Sequence, residues 1–265
     1  MAISTAFSTR MSQVLIKLLQ TGERVLQLLQ GKGTGSHSLR SEARTARRFL
    51  PRGAIVFDVG ANKGQYTLQL LRQSSDRISQ IHLFEPVLAN CETLKQINDP
   101  RVIVNCFGLG DKEEQRQLYS DAIGSGLGSL YDRQLSYRGI AMRYREIVSI
   151  STLDKYVHDL SVEKIDLLKL DVEGHELCVL KGARDSLERR ISAIQFEFGG
   201  CNVDSRTYFR DFWELLTGLG FRISVLSPIF GLLAIPAYSE TLECFSTTNF
   251  YASRRAPAAE SKVKR

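Results

Sequence analysis

The segment Ala54 to Tyr66, AIVFDVGANKGQY, constrains this chain more than any other. Ile55, Val56, Phe57 and Val59 make the short apolar run of a strand buried on both faces, as in a parallel sheet. The run stops at Gly60, and a helical pattern opens after Gly64. Gly60 permits a sharp turn and close approach of a ligand to backbone. The helix that follows turns its unpaired N–H groups and positive dipole end towards the same spot. Asp58 stands at the carboxyl end of the strand. A second apolar strand, Ile78 to Phe84, delivers Glu85 and Pro86 about 25 residues after the first glycine. Doubly wound sheets place there an acid that accepts hydrogen bonds from ribose hydroxyls. The two strand ends read as a nucleoside cradle, built from Asp58, Gly60, Ala61, Asn62, Gly64 and Tyr66 on one side and Glu85 and Pro86 on the other.

The order Gly60-Ala61-Asn62-Lys63-Gly64 does not complete the G-x-G-x-x-G fingerprint of a dinucleotide site, and a G-K-[ST] phosphate loop is absent. S-adenosylmethionine carries no pyrophosphate and has a sulfonium cation that suits an acidic strand end. The turn fits that cofactor better than it fits NAD(P), although an NAD(P)-linked oxidoreductase or a non-catalytic cofactor-binding protein would use the same architecture.

FDVGANKGQY, the triplet Phe84-Glu85-Pro86, STLDKY at 151–156, DLLKLDVEGHELCVLKGA at 166–183, QFEFG at 195–199 and TTNFYA at 247–252 together resemble the FkbM-type S-adenosylmethionine-dependent methyltransferases. The resemblance runs over roughly residues 40 to 252. It implies a class I (Rossmann-like) α/β methyltransferase fold, with a mostly parallel seven-stranded sheet, one antiparallel edge strand and helices on both faces. It also implies methyl transfer to a hydroxyl of a carbohydrate (glycan, glycolipid or polysaccharide precursor) or of a secondary metabolite. By the same analogy, the turn after the third strand, with Asn105 and Gly108, meets the adenine edge.

The remaining pattern alternates as a parallel sheet requires: helix 65–73, helix 87–97, strand 101–107, a strand-rich insertion over 114–150, helix 205–217, and late strands 221–226 and 247–253. The insertion contains a Gly/Ser loop, AIGSGLGSL at 122–130, that reads equally as a substrate flap or a long turn. In IDLLKLDVEGHE, strand periodicity places Lys169, Asp171 and Glu173 on one face, and Gly174 and His175 begin the next helix. Charges at a carboxyl strand end are costly unless paired or used. Asp171 or Glu173 can take the proton of an acceptor hydroxyl, with Lys169 tuning its pKa, and His175 is a further candidate base. Alternatively these carboxylates, with Glu197, hold Mg or Mn, for which oxygen ligands are suited.

Charge divides the 265 residues unevenly. Residues 1–52 carry nine Lys/Arg against two Glu, and 254–265 carry five against one, so that 53–253 is net −5 within a total of +6. An acidic body does not suit nucleic acid, and no Asp/Asn-Pro-Pro-aromatic tetrapeptide of nucleic-acid amino-methyltransferases occurs at the fourth strand. The chain divides into an N-terminal amphipathic helix and linker (1–38), a catalytic domain (39–253) and a basic tail (254–265). The helix has Val14, Leu15, Leu18, Leu19, Val25, Leu26, Leu28 and Leu29 at near-helical spacing and no secretory cleavage pattern. It either packs on the body or a second subunit, giving a homo-oligomer, or lies on a membrane surface. Five scattered cysteines without C-x-x-C suit a reducing compartment, so the expected location is cytoplasmic or membrane-peripheral.

Overall fold

The computed structural model describes residues 2–33 and 39–255. In chain order its strands are β1 (Ala54–Val59), β2 (Ile78–Phe84), β3 (Val102–Asn105), β4 (Gly108–Gly110), β5 (Glu114–Ser120), β6 (Tyr144–Thr152), β7 (Leu167–Leu170), β8 (Ala193–Phe198), β9 (Arg222–Ser227), β10 (Gly231–Ala234) and β11 (Thr248–Ser253). The helices are α1 (Ala2–Leu29), α2 (Leu39–Ala46), α3 (Gln65–Ser74), α4 (Leu88–Leu94), α5 (Leu153–Asp159), α6 (Glu176–Lys181), α7 (Arg184–Arg189), α8 (Cys201–Ser205) and α9 (Phe209–Gly218).

The main sheet runs β10-β9-β11-β8-β7-β1-β2-β3. Every pair from β3 to β8 is parallel. The period of two sorts the apolar residues of β1 and β7 between two cores. Phe57, Val59, Leu168 and Leu170 pack with α5, α6, α7 and α9 on one face. Ala54, Val56 and Leu167 pack with α2 and α3 on the other. Burial on both faces explains why all four residues of β7 are buried, the charged Lys169 included.

Two expectations about the sheet are corrected. It has eight strands among the described residues, because the apolar stretch after Phe221 folds back at Gly231 as an antiparallel hairpin of β9 and β10. The antiparallel strand β11 is internal, paired to β8 on one side and β9 on the other, and all six of its residues are buried. The insertion forms a separate sheet, β4-β6-β5, with β4 parallel and β5 antiparallel to β6.

The two chain ends dock more firmly than expected at their inner margins. Ser227 Oγ donates to Leu29 O at 2.7 Å, and Gly33 N donates to Thr248 Oγ1 at 3.1 Å. A Cβ at Gly31 would collide with the Leu226 carbonyl. The first part of the expected linker is therefore seated on β9 and β11, while 34–38 lie outside the described residues. Arg254 donates to the carbonyls of Leu187, Ile191 and Leu219 and stacks over Phe221, so it belongs to the folded body. The tail from 256 onwards lies outside the described residues. By contrast, the apolar residues of α1 between Met11 and Leu26 do not pack on the body.

Candidate functional site

A cleft opens at the carboxyl ends of β1, β2 and β7. Gly60 N and Ala61 N both donate to Phe84 O, which draws the turn after β1 across the end of β2. At φ 79, with no room for a Cβ against the Asp171 carbonyl, Gly60 is the one residue type that fits. Asn62 adopts φ 48, and its N–H donates to Glu85 Oε2 at 2.8 Å. The other oxygen of Glu85 accepts from Val87 N at 2.9 Å and from Asn90 Nδ2 at 3.3 Å. Burial raises the Glu85 pKa against the opposing effect of these hydrogen bonds.

Gly60, Asn62, Glu85, Pro86, Asn90 and Gly108 line this cleft, and Val87, Leu109, Leu118, Leu130 and Ile150 give it an apolar wall. The 122–130 loop covers it through Ser125, Gly126, Gly128 and Leu130. Three buried polar atoms of lining residues have no hydrogen-bond partner among the described residues: Asn62 Oδ1, Asn90 Oδ1 and His175 Nε2. Buried polar atoms are nearly always satisfied in folded proteins, so unpaired acceptors beside an apolar slot suit a ligand with an apolar ring and N–H or O–H donors. A nucleoside has both.

Not every expected cradle residue faces that space. Ala61 and Tyr66 line an adjoining pocket with Leu39, Lys63, Gln65, Gly124, Lys169 and Asp171. Asp58 is fully buried off the cleft, where Oδ2 accepts from Thr67 Oγ1 at 2.7 Å and Oδ1 lies 3.5 Å from Lys169 Nζ. Gly64, at φ 76, caps α3 with its Cα turned towards Leu94 and Ile97. Asn105 lies outside both pocket linings and spends its Nδ2 on Leu83 O. These three shape the cradle from behind.

The expected single face of Lys169, Asp171 and Glu173 does not form, because β7 ends at Leu170 and period two ends with it. The chain turns instead, with Glu173 at φ 50 and Gly174 at φ 104. Glu176, wholly buried, holds the turn by accepting from Val172 N at 2.9 Å and Gly174 N at 3.1 Å. Glu173 pairs with Arg133 of the insertion, and Ser129 Oγ donates to Glu173 O at 2.7 Å. The turn is thereby clamped from both sides. Burial and the neighbouring Asp171 lift the Glu173 pKa to about 8, with Arg133 opposing. His175 Nδ1 lies 3.0 Å from Tyr131 Oη, and burial drives its pKa down to about 4, so it is neutral and weakly basic at pH 7.

Lys169 stays charged. Burial alone would lower its pKa, but Asp171, Asp58 and Glu42 outweigh that and raise it. Its Nζ lies 3.2 Å from Asp171 Oδ2 and 4.8 Å from the centre of the Tyr66 ring. Asp171 remains 42% exposed and lines both pockets, with Gly60, Asn62, Ser125 and Gly126. Behind it, Tyr66 Oη donates to Gln195 Oε1, and Gln195 Nε2 donates to Glu42 Oε2. Burial lifts the Glu42 pKa to about 7. Sequence reading missed Glu42, Arg133 and Glu176. Glu176 left the clearest trace, as an acid on the otherwise apolar helix ELCVL. Burial, and the neighbouring Asp171, Glu173 and Glu176, raise the Glu197 pKa. Among the described residues, no group of three His, Cys, Asp or Glu side chains is arranged to hold a metal ion.

The strand order and a cleft at the carboxyl ends of β1, β2 and β7 define a class I, Rossmann-like methyltransferase fold. The Methyltransferase FkbM domain matches residues 58–223, and the chain belongs to that family. It is 26% identical over 195 residues to Methyltransferase 1 of Beauveria bassiana, covering 67% of this chain and 76% of that protein. It is 28% identical over 181 residues to the AMB antimetabolite synthetase AmbE of Pseudomonas aeruginosa, covering 56% of this chain but 8% of the synthetase. Among solved structures, the methyltransferase FkbM of Methylobacillus flagellatus aligns with 16% identity and a TM-score of 0.46, over 76% of this chain and 43% of that one. Over residues 58–223 the chain is a methyltransferase domain of the FkbM type.

Proposed function

We propose that this methyltransferase uses S-adenosylmethionine to methylate a hydroxyl group of a carbohydrate or secondary metabolite. The observation that carries the reading is the position of Asp171, a half-exposed carboxylate shared by the nucleoside-shaped cleft and the adjoining polar pocket. In this reading Glu85 and Asn62 would hold the ribose, and Pro86, Val87, Leu109 and Ile150 would enclose the adenine. The bound cofactor supplies a methyl group already activated by its sulfonium, so the protein's task is in-line positioning and proton removal. Asp171 Oδ1 would accept the acceptor's hydroxyl proton as the methyl group passes from the sulfonium sulfur to that oxygen, with S-adenosylhomocysteine as the leaving group, while Lys169 holds Asp171 Oδ2. The likeness to an antimetabolite synthetase segment supports a secondary-metabolite acceptor.

The test is calorimetric titration with S-adenosylhomocysteine, with NADH as control, followed by an acceptor screen using labelled methyl donor. Micromolar binding of S-adenosylhomocysteine alone, and label transferred to an alkali-stable ether, support the reading. Label on nitrogen or carbon would overturn the hydroxyl assignment.

A further inference from the structure

Helix α1 is 28 residues long, about 42 Å at the usual rise, and carries a large apolar surface that none of the described residues covers. Met11, Val14, Leu15, Leu18, Leu19, Val25 and Leu26 are each more than half exposed. At 3.6 residues per turn these side chains and Gly22 fall within an arc of about 140°, with Ile16, also more than half exposed, beyond its edge and Gln13, Lys17, Gln20, Arg24 and Gln27 opposite. An exposed stripe of this size requires a partner.

We propose that α1 lies in the plane of an anionic lipid surface, its leucine face in the acyl region and the catalytic body held beside the headgroups. Two observations select this occupant over a second copy of the chain. Met11, Leu15, Leu18, Gly22, Val25 and Leu29 follow a coiled-coil spacing, but Gly22 supplies no knob at the centre of the seam. None of the flanking positions Ser12, Leu19 and Leu26 and Val14, Thr21 and Leu28 is charged, where a coiled coil uses complementary charges, and four of the six are apolar. The arc is wider than such a seam and suits a continuous apolar medium.

Charge agrees with that choice. Lys17 and Arg24 face away from the stripe with one acid, Glu23, between them, and Arg40, Arg44 and Arg52 are exposed on the segment that follows. Glu42, the other acid before residue 53, is buried. The first 52 residues therefore present net positive charge to an acidic leaflet, each exposed base adding attraction. The helix does not cross the bilayer, since no described helix is long and apolar enough to do so. Its attachment through Leu29, Gly31 and Gly33 to β9 and β11, and through Lys32 Nζ to Thr241 O at 2.7 Å, fixes the point at which the helix joins the body.

Flotation of the purified full-length protein with phosphatidylcholine vesicles, with and without phosphatidylglycerol, tests the assignment independently of any methyl-transfer assay. The protein should float with anionic vesicles at least about tenfold better than with neutral ones and be released by salt. Leu15→Gln/Leu18→Gln/Leu19→Gln should stay unbound while keeping its far-UV spectrum and S-adenosylhomocysteine affinity. Lys17→Glu/Arg24→Glu, with the apolar face intact, should float less. Failure of the wild-type protein to float, or equal flotation with neutral vesicles, would overturn the proposal. So would a stable dimer seen by light scattering without lipid and abolished by the leucine substitutions, because the stripe would then belong to a second copy.

Discussion

Lys169 Nζ stands 3.2 Å from Asp171 Oδ2, so the carboxylate shared by the two halves of the cleft is held by a cation that is itself buried. The remaining oxygen of Asp171 is the one free to meet an acceptor. Asp171→Asn keeps the shape and the contact with Gly60 but removes the proton acceptor. Turnover should fall by about a hundredfold or more, while S-adenosylhomocysteine affinity stays within about threefold of wild type. Single-turnover rates beside calorimetry check this, and undiminished turnover would remove Asp171 from the role of base.

Lys169→Met tests the other end of the same pair. Asp58 is fully buried and its Oδ1 has no hydrogen bond, only the ion pair with Lys169 Nζ at 3.5 Å, so loss of the ammonium leaves an uncompensated charge in the core. Removing one partner of such a pair costs about 3 to 5 kcal/mol. Urea unfolding should show that loss, and the double variant Lys169→Met/Asp58→Asn should recover part of it.

Glu85 organises the cradle besides offering itself to a ribose. Its two oxygens accept from the backbone of Asn62 and Val87, one on each side of the cleft. Glu85→Gln exchanges one acceptor for a donor facing an N–H, so the turn at Asn62 should shift. Affinity for S-adenosylhomocysteine should fall by about tenfold or more, the equivalent of about 1.4 kcal/mol. Unchanged binding would show that the ribose lies elsewhere.

Much of this site could be read locally, because strand ends and glycine turns announce themselves within a few residues. Gly60, Asn62 and Glu85 belong to that class, and so does the alternation that sets β1, β2 and β7 side by side. What escaped reading was made by contacts distant in sequence. Nothing near Arg133 says that it reaches Glu173, and nothing near Glu42 says that Gln195 donates to it. The face shared by Lys169, Asp171 and Glu173 failed for a different reason. Periodicity has no way to register where a strand stops, and the backbone left the strand between Leu170 and Asp171. For β11, the run TNFYA identified a strand, but its place between β8 and β9 depends on pairing partners that no local pattern specifies.

Glu42 lies outside the stretch matched by the family domain and yet faces the electrostatic centre of the site, with Lys169, Asp171 and Asp58 around it and Gln195 donating to it. Burial raises its folded pKa from the ordinary 4.5 to about 7, so between those values the folded state holds a proton that the unfolded chain has released. Stability from this group is complete below the unfolded value and is lost as pH rises through the folded one. Glu42→Gln, a neutral isostere that can still accept from Gln195, should remove that dependence. Buried His82 and His175, both lowered to about 4, contribute with the opposite sign below pH 6.5, so the informative quantity is the difference between the two proteins. Thermal unfolding from pH 5 to pH 8 should show wild type losing stability relative to Glu42→Gln, most steeply between the two pKa values, near pH 6, and levelling off above pH 7. Parallel curves across that range would mean that Glu42 is ionised throughout and that Lys169 holds its charge.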